Sequence, residues 1–517
     1  MALRVRVDSP RETGPRVLLE PADDHNRRLL DNVHPPTWAN PTPRDRYHLV
    51  VIGAGTGGLV SAAAAAGLGA KVALVERHLM GGDCLNVGCV PSKGVIRAAR
   101  AWREAGTARE TFGGPAVAGA GDFAAAMQRM RRIRADISRV DAAPRYRDLG
   151  VDVFLGPGRF IAPDAAEVDG AILRFRRAII ATGARAAVPP IPGLREAGHL
   201  TNETIFSLTE LPRRLVVIGA GPMGCEMAQS FARFGSAVTV LNTAEHILPR
   251  EDGDAAAIVE RAMAQDGVRV LHGACVVRVE RRGEERIAHL EVGGRAEQVV
   301  GDQLLVAVGR AANVEGLGLE AAGVRYGKTG VIADDRLRTS NPRIYAVGDV
   351  NGRFRFTHNS DFQARIAIQN ALFFGRRKAS SLVMPWCTFT SPEIAHVGMY
   401  EKDARAAGHA VETLTLPLED VDRALLDGEH EGFLRLHLKR GSDRILGATL
   451  VAGHAGDMIS EITVAMVNGV GLGGIGNAIH PYPTQAEVFR RAADTWRRGK
   501  LTPGVRRLFA TFFRLFR

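Results

Sequence analysis

Two parts of the chain alternate short apolar runs with a glycine-rich turn. In residues 47–77 an apolar run, a glycine turn, an Ala-rich segment and a second apolar run follow one another, and residues 213–242 repeat that order. Continuous apolar runs bounded by turn signals are typical of strands buried on both faces, and the segment between them is predicted to be a helix. The pattern therefore predicts an α/β chain with two Rossmann-like folds.

The pattern changes after Leu382. Strand-like runs separated by turns, such as residues 411–420 and 432–440, precede segments with helical spacing at 455–469 and 483–499. Strands that come first and helices that follow are typical of an α+β domain. The sequence therefore predicts a third, C-terminal domain of that class.

The two ends of the chain are predicted to differ from its body. Residues 1–46 are polar and rich in proline, with no hydrophobic period, and are interpreted as an arm lying on the body. Near the C-terminus, apolar residues recur at helical spacing, at Val505, Leu508, Phe509, Phe512, Phe513 and Phe516. Arginines lie largely off that face, which predicts a basic amphipathic helix. Such a helix either lies on a membrane surface or docks onto the protein itself or a partner copy.

Composition narrows the class of protein. The 517 residues exceed the size of one hydrophobic core, so about three domains are expected. The net charge of +11 suits anionic small ligands, and no basic run interleaved with aromatic residues indicates nucleic-acid binding. No apolar run is long enough to span a bilayer, and the N-terminus has no apolar secretion signal. We therefore expect a cytoplasmic location.

The first glycine turn contains a dinucleotide-binding fingerprint. Gly53, Gly55 and Gly58 form a G-x-G-x-x-G motif directly after the apolar run that ends at Ile52. The first glycine permits a tight turn, the second lets the backbone approach a pyrophosphate, and the third lets the helix pack close to the strand. Glu76 ends the next apolar run, where a carboxylate can accept a hydrogen bond from a ribose hydroxyl. A first dinucleotide site is predicted at this turn.

The second glycine turn repeats the motif with Gly219, Gly221 and Gly224. Here the second strand ends in Asn242 instead of an acidic residue. Without that carboxylate, a 2′-phosphate is not repelled, and Arg250 or, with less weight, His246 could meet it. The sequence therefore predicts a second dinucleotide site that favours NADPH over NADH.

Two of the five cysteines, Cys84 and Cys89, lie in the segment GGDCLNVGCVPSK, residues 81–93. Their C-x4-C spacing suits a small disulfide ring and differs from the usual C-x2-C spacing of zinc sites. The residues that follow Cys89 are predicted to form a helix, whose positive end lowers the pKa of a nearby thiol. The residues alone leave a structural disulfide, a metal site and a redox couple open.

Segment 81–93 resembles the redox-active disulfide signature of the pyridine nucleotide–disulfide oxidoreductases, which include dihydrolipoamide dehydrogenase, glutathione reductase and mercuric reductase. The order of motifs matches that family from about Tyr47 to Trp496. The resemblance implies that the cysteines form a redox-active disulfide. In that disulfide Cys84 is the interchange thiol that meets the substrate, and Cys89 lies against the flavin and forms a charge-transfer complex as a thiolate. It also implies FAD, NAD(P)H and a homodimer.

The same resemblance implies further cofactor-binding positions. Lys93 and Glu226 match an ion pair beside the flavin, Asp349 matches a second acid that contacts FAD, and Glu76 matches the ribose acid. The remaining positions assigned in this way are Thr182, Gly183, Gly309, Arg310 and Gly348. No metal site is expected.

The resemblance also gives an expected order of domains along the chain. The arm at 1–46 precedes an FAD-binding domain in two parts, 47–190 and 305–380. An NAD(P)-binding domain at 191–304 separates those parts, and a dimerisation domain at 381–496 and the basic amphipathic tail at 497–517 follow. The expected fold class is α/β, with two Rossmann-like domains plus an α+β dimer-interface domain.

The chain departs from the family pattern in its last motif. That motif normally reads His-Pro-Thr-x-x-Glu, with the His as the acid and base that serves the interchange thiol of the partner subunit. Here Glu487 is present, but Tyr482 occupies the position of the His. Tyrosine, with a pKa of about 10, is a poor base at neutral pH. His480, two residues earlier, either substitutes for the missing base or is a hydrogen-bonded interface residue.

This departure determines the expected function. Mercuric reductase resembles the chain in having Tyr at that position, although it also delivers mercury through a C-terminal cysteine pair, and no cysteine follows Cys387 here. We expect a mercuric reductase-like enzyme that passes electrons from NAD(P)H through FAD and the cysteines to a metal ion, disulfide or quinone. The alternatives are a dihydrolipoamide dehydrogenase- or glutathione reductase-like disulfide reductase and a membrane-tethered redox-sensing interaction protein.

Overall fold

The computed structural model describes residues 17–119, 121–352 and 354–516. Its α-helices are α1 (Asp24–Val33), α2 (Thr56–Gly67), α3 (Gly82–Asn86), α4 (Cys89–Phe112), α5 (Phe123–Ile137), α6 (Ala143–Asp148), α7 (Leu194–Ala197), α8 (Pro222–Arg233), α9 (Gly253–Gln265), α10 (Thr357–Leu372), α11 (Glu401–Ala406), α12 (Asp422–Asp427), α13 (Ala455–Val467), α14 (Leu472–Ile475), α15 (Glu487–Gly499) and α16 (Pro503–Leu515).

The strands are β1 (Tyr47–Ile52), β2 (Val72–Glu76), β3 (Val151–Leu155), β4 (Gly158–Ala162), β5 (Ala165–Val168), β6 (Ala171–Ile180), β7 (Ala184–Ala186), β8 (Arg214–Ile218), β9 (Ala237–Leu241), β10 (Val268–Leu271), β11 (Ala274–Arg282), β12 (Glu285–Val292), β13 (Arg295–Gly301), β14 (Gln303–Val306), β15 (Arg310–Ala312), β16 (Tyr326–Gly327), β17 (Gly330–Val331), β18 (Ile344–Ala346), β19 (Pro385–Thr388), β20 (Glu393–Gly398), β21 (Val411–Pro417), β22 (Phe433–Lys439) and β23 (Ile445–Ala452).

The chain forms two compact units, each assembled from separate stretches of sequence. The first unit comprises the described parts of Met1–Val90, Gln128–Arg185 and Ala311–Ser380. The second comprises those of Pro91–Met127, Ala186–Arg310 and Ser381–Arg517.

A parallel sheet forms the centre of the first unit, with β2 between β3 and β1, and with β6 between β1 and β18. The first half of β6 also pairs with the antiparallel β4–β5 hairpin. Residues 49–52 of strand β1 are buried on both faces, as their unbroken apolar sequence predicts, whereas His48 near its start is exposed. Because carboxyl ends of parallel strands meet at one edge, the residues that follow β1, β2, β6 and β18 lie along the same edge.

The second unit contains a second parallel sheet, in the order β10-β9-β8-β14, with the antiparallel β11–β13 sheet in the same unit. Its C-terminal part is a five-stranded antiparallel sheet in the order β19-β20-β23-β22-β21, against which α13 packs. The predicted fold class, with two Rossmann-like folds and an α+β domain, is confirmed. The individual domain boundaries stay predictions.

Residues 1–46, interpreted from the sequence as a polar arm, contain helix α1, which was not predicted. In α1, Leu29 and Val33 are fully buried, and Asn26 is buried beside them. Apart from Leu30, which is half-buried, the remaining residues of the helix are polar, so the segment shows no broad apolar period. Residues 1–16 of the predicted arm lie outside the described part of the chain.

The amphipathic helix predicted at the C-terminus is present as α16. None of its side chains is buried, and Leu508 and Phe513 are 68% and 65% exposed. Within residues 17–119, 121–352 and 354–516, α16 therefore buries none of its side chains, and what its apolar face contacts stays a prediction. No helix in these ranges combines the length and apolar character that a membrane crossing needs.

Candidate active site

The two cysteines of segment 81–93 lie on two consecutive helices, and both residues belong to the first unit. Cys84 is half-buried within the short helix α3, and Cys89 is exposed and begins α4. Both are thiols in this structure, and the Cys84 side chain is hydrogen-bonded to Cys89. The predicted helix after Cys89 is confirmed, and its N-terminus favours a thiolate there.

The groups around Cys84 make its thiol harder to ionise. The hydrogen bond with Cys89 and burial both raise the pKa of Cys84 well above its usual value, and the nearby Asp83 carboxylate acts in the same direction. A donated hydrogen bond keeps the proton on Cys84 and favours negative charge on Cys89. A hydrogen bond donated by Cys84 to Cys89 is the direction that the predicted roles require, in which Cys84 is the thiol and Cys89 the thiolate. The roles themselves stay predictions.

A buried polar network holds the loop that contains Cys84. Asn86 donates from Nδ2 to the carbonyl oxygens of Met80 (3.1 Å) and Gly82 (2.8 Å). Arg134, 5% exposed, donates to the Asn86 carbonyl oxygen at 2.7 Å and to Asn26 Oδ1 at 2.6 Å. Because Asn26 lies on α1, the helix that the sequence reading missed helps to position the loop that contains Cys84.

The glycines that begin segment 81–93 are needed by the loop itself. Gly81 and Gly82 have φ of +88° and +59°. A Cβ on Gly82 would lie 2.6 Å from the Cα of Gly55, so the loop packs directly on the first glycine turn.

The first glycine turn has the geometry that the motif predicts. Gly53 has φ of +101°, and a Cβ on Gly58 would lie 1.8 Å from the Gly53 carbonyl oxygen. Gly55 is the N-cap of α2 and makes no side-chain cap, which leaves the N–H groups of the first turn for phosphate oxygens. The residues therefore fit the pyrophosphate of a dinucleotide such as FAD.

The predicted ribose acid lies at the same edge of the sheet. Glu76 accepts hydrogen bonds from the backbone N–H groups of Ala54 (2.7 Å) and His78 (2.9 Å). Burial raises the pKa of this carboxyl, and the two donors partly offset that effect. The carboxylate is therefore bound to the glycine turn, and its contact with a ribose stays a prediction.

The other predicted FAD residues of the first unit follow the neighbouring strands. Thr182 donates from Oγ1 to the Asn313 carbonyl oxygen at 2.7 Å, and the Gly183 carbonyl oxygen accepts from the N–H of Asn313. After β18, Gly348 begins a 3-10 helix that also contains the half-buried Asp349. All four positions lie at the carboxyl edge of the parallel sheet, as expected for a site there.

The second glycine turn repeats the first in the second unit. Its glycines adopt the same arrangement, in which a Cβ on Gly224 would lie 2.0 Å from the carbonyl oxygen of Gly219. Gly221 is the N-cap of α8 and makes no side-chain cap. Gly309, with φ of +130°, and the half-buried Arg310 follow the end of β14 in the same unit. The turn therefore fits a second dinucleotide.

Asn242 is buried and holds the loop after β9. Its Nδ2 donates to the carbonyl oxygens of Ala244 (3.1 Å) and His246 (3.0 Å) and lies 3.1 Å from Nδ1 of His272. Arg250, further along this loop, is exposed. The strand end thus has no negative charge, and the preference for NADPH stays a prediction.

The ion pair expected from the resemblance is present in the second unit. Lys93 Nζ lies 3.1 Å from Glu226 Oε2, and the other oxygen of the buried Glu226 accepts from the backbone N–H of Phe389 at 2.9 Å. The ammonium also lies 4.3 Å from the centre of the Phe389 ring. Lys93 is one turn beyond Cys89 along α4. The position of the pair beside a flavin stays a prediction.

The last motif does not form the pairing that the family pattern predicts. Tyr482, 70% exposed, donates from its hydroxyl to Asp422 Oδ2 at 3.0 Å, and this bond raises the pKa of the phenol. Glu487 is bound instead by Arg490, whose Nη2 lies 2.5 Å from Glu487 Oε1. Glu487 Oε2 accepts no hydrogen bond from any described residue. Glu487 therefore does not orient Tyr482 within this chain.

His480 is held in place on both sides of its ring. Its side chain is 6% exposed, with Nε2 2.9 Å from Glu461 Oε1 and Nδ1 3.2 Å from the Ala478 carbonyl oxygen. Both nitrogens therefore have partners within the chain, and the role of His480 stays a prediction.

One residue near the thiols was missed by sequence reasoning. The hydroxyl oxygen of Thr357, the first residue of α10, lies 3.3 Å from Cys89 Sγ. The two residues are 268 positions apart, and nothing in the surrounding segment indicates the contact.

In the described ranges, no three His, Cys, Asp or Glu side chains cluster as metal ligands do.

Comparison with known proteins places the chain in a family. The model of the pyridine nucleotide-disulphide oxidoreductase family matches residues 47–364, and that of its dimerisation domain matches residues 384–493. Mercuric reductase from Streptomyces lividans is 37% identical over 460 residues, which is 87% of this chain and 96% of that protein. Dihydrolipoyl dehydrogenase from Bacillus subtilis (strain 168) is 32% identical over 468 residues, 86% of this chain and 97% of that protein.

A solved structure agrees with both the fold and the family. The HOCl-induced flavoprotein disulfide reductase RclA from Escherichia coli superposes with a TM-score of 0.77 at 30% identity. The match covers 87% of this chain and 99% of RclA. RclA has also been solved as a complex with Cu(II).

Together with these matches, the fold and the cysteine pair are those of a flavoprotein oxidoreductase that uses NAD(P)H. The chain belongs to the pyridine nucleotide–disulfide oxidoreductase family. It is therefore an enzyme that depends on FAD, with NAD(P)H as the electron donor, and its dimerisation domain supports a homodimer.

Proposed function

We propose that the protein passes two electrons from NAD(P)H through the Cys84–Cys89 pair to a metal-ion acceptor. Bound FAD supplies the redox group between NAD(P)H and the cysteines. In this proposal Cys84 meets the acceptor and Cys89 lies against the flavin, with Lys93 and Glu226 beside the ring. The cytoplasmic location expected from the sequence stays a prediction.

The observation that supports a metal-ion acceptor is the hydrogen bond from the Tyr482 hydroxyl to Asp422, which makes the phenol a poorer proton exchanger. Reduction of an organic disulfide needs a proton for the departing thiol, which a histidine with a pKa near neutrality can supply. The Tyr482 phenol, with an ordinary pKa of about 10, is a much weaker proton exchanger, and its bond to Asp422 raises the pKa further. A metal ion needs no protonated leaving group.

Two relatives support the same class of acceptor. Mercuric reductase is named for a metal ion, and RclA has been solved with Cu(II). The competing proposal is a disulfide reductase like dihydrolipoyl dehydrogenase, which matches this chain over a similar length.

An anaerobic titration tests the proposal. NADPH is added stepwise to the purified holoenzyme while the visible spectrum is recorded, and Cu(II), Hg(II), glutathione disulfide, lipoamide and a quinone are then supplied separately. We expect repeated NADPH oxidation with a metal ion and slow oxidation with either disulfide. Fast turnover with a disulfide alone would support the competing proposal, and a single reduction without turnover would indicate a redox sensor.

For the nicotinamide cofactor, we propose a preference for NADPH. The kcat/KM with NADPH is expected to exceed that with NADH, because Asn242 places no negative charge at the end of β9. Asn242→Glu is expected to lower the NADPH/NADH ratio about tenfold, the effect of roughly 1.4 kcal/mol of charge repulsion. Steady-state kinetics with both cofactors measure it.

A second variant tests the same preference without disturbing the loop after β9. Because the Asn242 amide binds the Ala244 and His246 carbonyl oxygens, Asn242→Glu also removes donors from the loop. Arg250→Met changes an exposed side chain instead. It is expected to weaken NADPH and leave NADH unchanged. A wild-type enzyme that uses NADH better would refute the preference.

We also propose that the tail at 497–517 brings the enzyme to an anionic membrane surface. This segment has seven basic and no acidic residues, and every side chain described in α16 is at least partly exposed. One face of α16 presents Leu508, Phe509 and Phe512, which is the arrangement of helices that lie in a lipid interface.

Removal of residues 503–517 is expected to abolish binding to vesicles of phosphatidylglycerol and phosphatidylcholine while leaving flavin content and dimer mass unchanged. The reason is that α16 covers none of the described core. Co-sedimentation measures binding, and higher salt is expected to weaken it because the arginines are exposed. Pure phosphatidylcholine vesicles are the control. Loss of the dimer on truncation would show that α16 binds a second copy instead.

A further inference from the structure

Thr357 lies beside both thiols of the first unit. Its Oγ1 is 3.3 Å from Cys89 Sγ, and its side chain is also hydrogen-bonded to Cys84, where it acts against the other groups that raise the pKa of that thiol. Thr357 begins α10, so the N–H groups at the positive end of this helix are near the same residue. The sulfurs are thus reached by one hydroxyl that neither the motif nor the family match identifies.

The direction of this hydrogen bond depends on the charge of the sulfur. A threonine hydroxyl has one donor and two acceptor sites, whereas a thiolate can only accept. When Cys89 is ionised, the hydroxyl must donate to it, and a hydrogen bond to the charged form of a group favours that form. When both sulfurs are oxidised to a disulfide, the hydroxyl faces only weak acceptors. The bond is therefore strongest in the reduced state.

We propose that Thr357 is a positioning residue that stabilises negative charge on Cys89 after reduction of the disulfide. The inference rests on the proposed roles of the two cysteines. Two electrons and one proton convert the disulfide into one thiol and one thiolate, and Thr357 donates to the thiolate without losing its own proton. Because its side chain also reaches Cys84, the same hydroxyl can donate there when that sulfur is ionised.

Other ionisable side chains on these elements act from different directions. Asp83 on α3 opposes ionisation of Cys84, Lys93 is one turn beyond Cys89 on α4, and His358 is the residue after Thr357 on α10. His358 is exposed and its ring stacks on that of Phe356 at 5.3 Å. None of these changes when the Thr357 hydroxyl is removed, so a substitution at Thr357 isolates its contribution.

The test is Thr357→Val, which keeps the shape of the side chain and removes the hydroxyl. In the two-electron-reduced holoenzyme, the thiolate–flavin charge-transfer absorbance is measured against pH. Hydrogen bonds to charged groups are strong enough that their loss is expected to raise the apparent pKa of this band by about one to two pH units. Thr357→Ser keeps the hydroxyl and is expected to restore the wild-type profile.

The alkylation rate of Cys89 gives a second, independent measurement of its ionisation. In a Cys84→Ser background, the rate at which iodoacetamide alkylates Cys89 is measured against pH, with and without Thr357→Val. The alkylation profile should shift by the same amount. Ser360→Ala removes a hydroxyl one turn further along α10, where it donates to the Phe356 carbonyl oxygen, and should shift neither profile.

The outcomes are distinguishable. Unchanged profiles in Thr357→Val, or equal shifts in the valine and serine variants, would overturn the role of Thr357. Absence of the charge-transfer band from Cys84→Ser protein that still binds flavin would instead overturn the proposed roles of the cysteines. Flavin content and melting temperature, measured for every variant, show whether each one folds.

Discussion

Replacement of Cys89 by serine is expected to abolish the long-wavelength charge-transfer band of the two-electron-reduced enzyme and its turnover with every acceptor. A band of this kind needs a thiolate against the flavin, and a serine hydroxyl is not ionised at neutral pH. Cys89 is the thiol expected to ionise, because it begins α4 and because the pKa of its neighbour Cys84 is raised. Anaerobic visible spectroscopy during titration with NADPH measures the band.

Cys84→Ser is the matched control. It leaves Cys89 without a disulfide partner, so the band is expected before any reductant is added, whereas turnover is lost. The two substitutions differ by five positions and remove the same atom type, which makes their opposite spectra informative. A band that survives Cys89→Ser would show that the two roles are assigned to the wrong cysteines.

Tyr482→His is expected to raise turnover with glutathione disulfide and lipoamide. General acid–base catalysis contributes about 10²–10⁴-fold, so even partial recovery is expected to reach about tenfold in kcat. The structure supplies a carboxylate for the introduced imidazole, since Asp422 accepts from the present hydroxyl. Rates with metal-ion acceptors are expected to stay unchanged.

Tyr482→Phe separates the imidazole from the loss of the phenol. It removes the bond to Asp422 without adding a base, so disulfide turnover should remain low. If the unmodified enzyme already reduces either disulfide quickly, Tyr482 does not limit the reaction, and His480 becomes the residue to substitute. The bond between His480 and Glu461 argues against that second role, because a base must be able to exchange its proton with the substrate.

The periodicity of the sequence was sufficient to predict the strands and glycine turns of the two Rossmann-like folds. Apolar runs and glycine spacing were sufficient for the strands β1, β2, β8 and β9, since buried parallel strands and tight turns impose residue types over a few positions. The cysteine motif and its family resemblance led to the expected Lys93–Glu226 ion pair. Helix α1 was missed because few of its residues are apolar and its burial depends on distant partners such as Arg134.

The sequence by itself determined the fold class, the family, the cofactors and the thiol pair, because each is encoded in short, specific spacings. Only the tertiary structure decided that Thr357 lies beside Cys89, that Arg134 holds the loop of Cys84, and that Glu487 binds Arg490 instead of Tyr482. It also decided that α16 stays exposed. The physical reason is that such contacts follow from satisfying buried polar groups across long separations in the chain, which local patterns do not record.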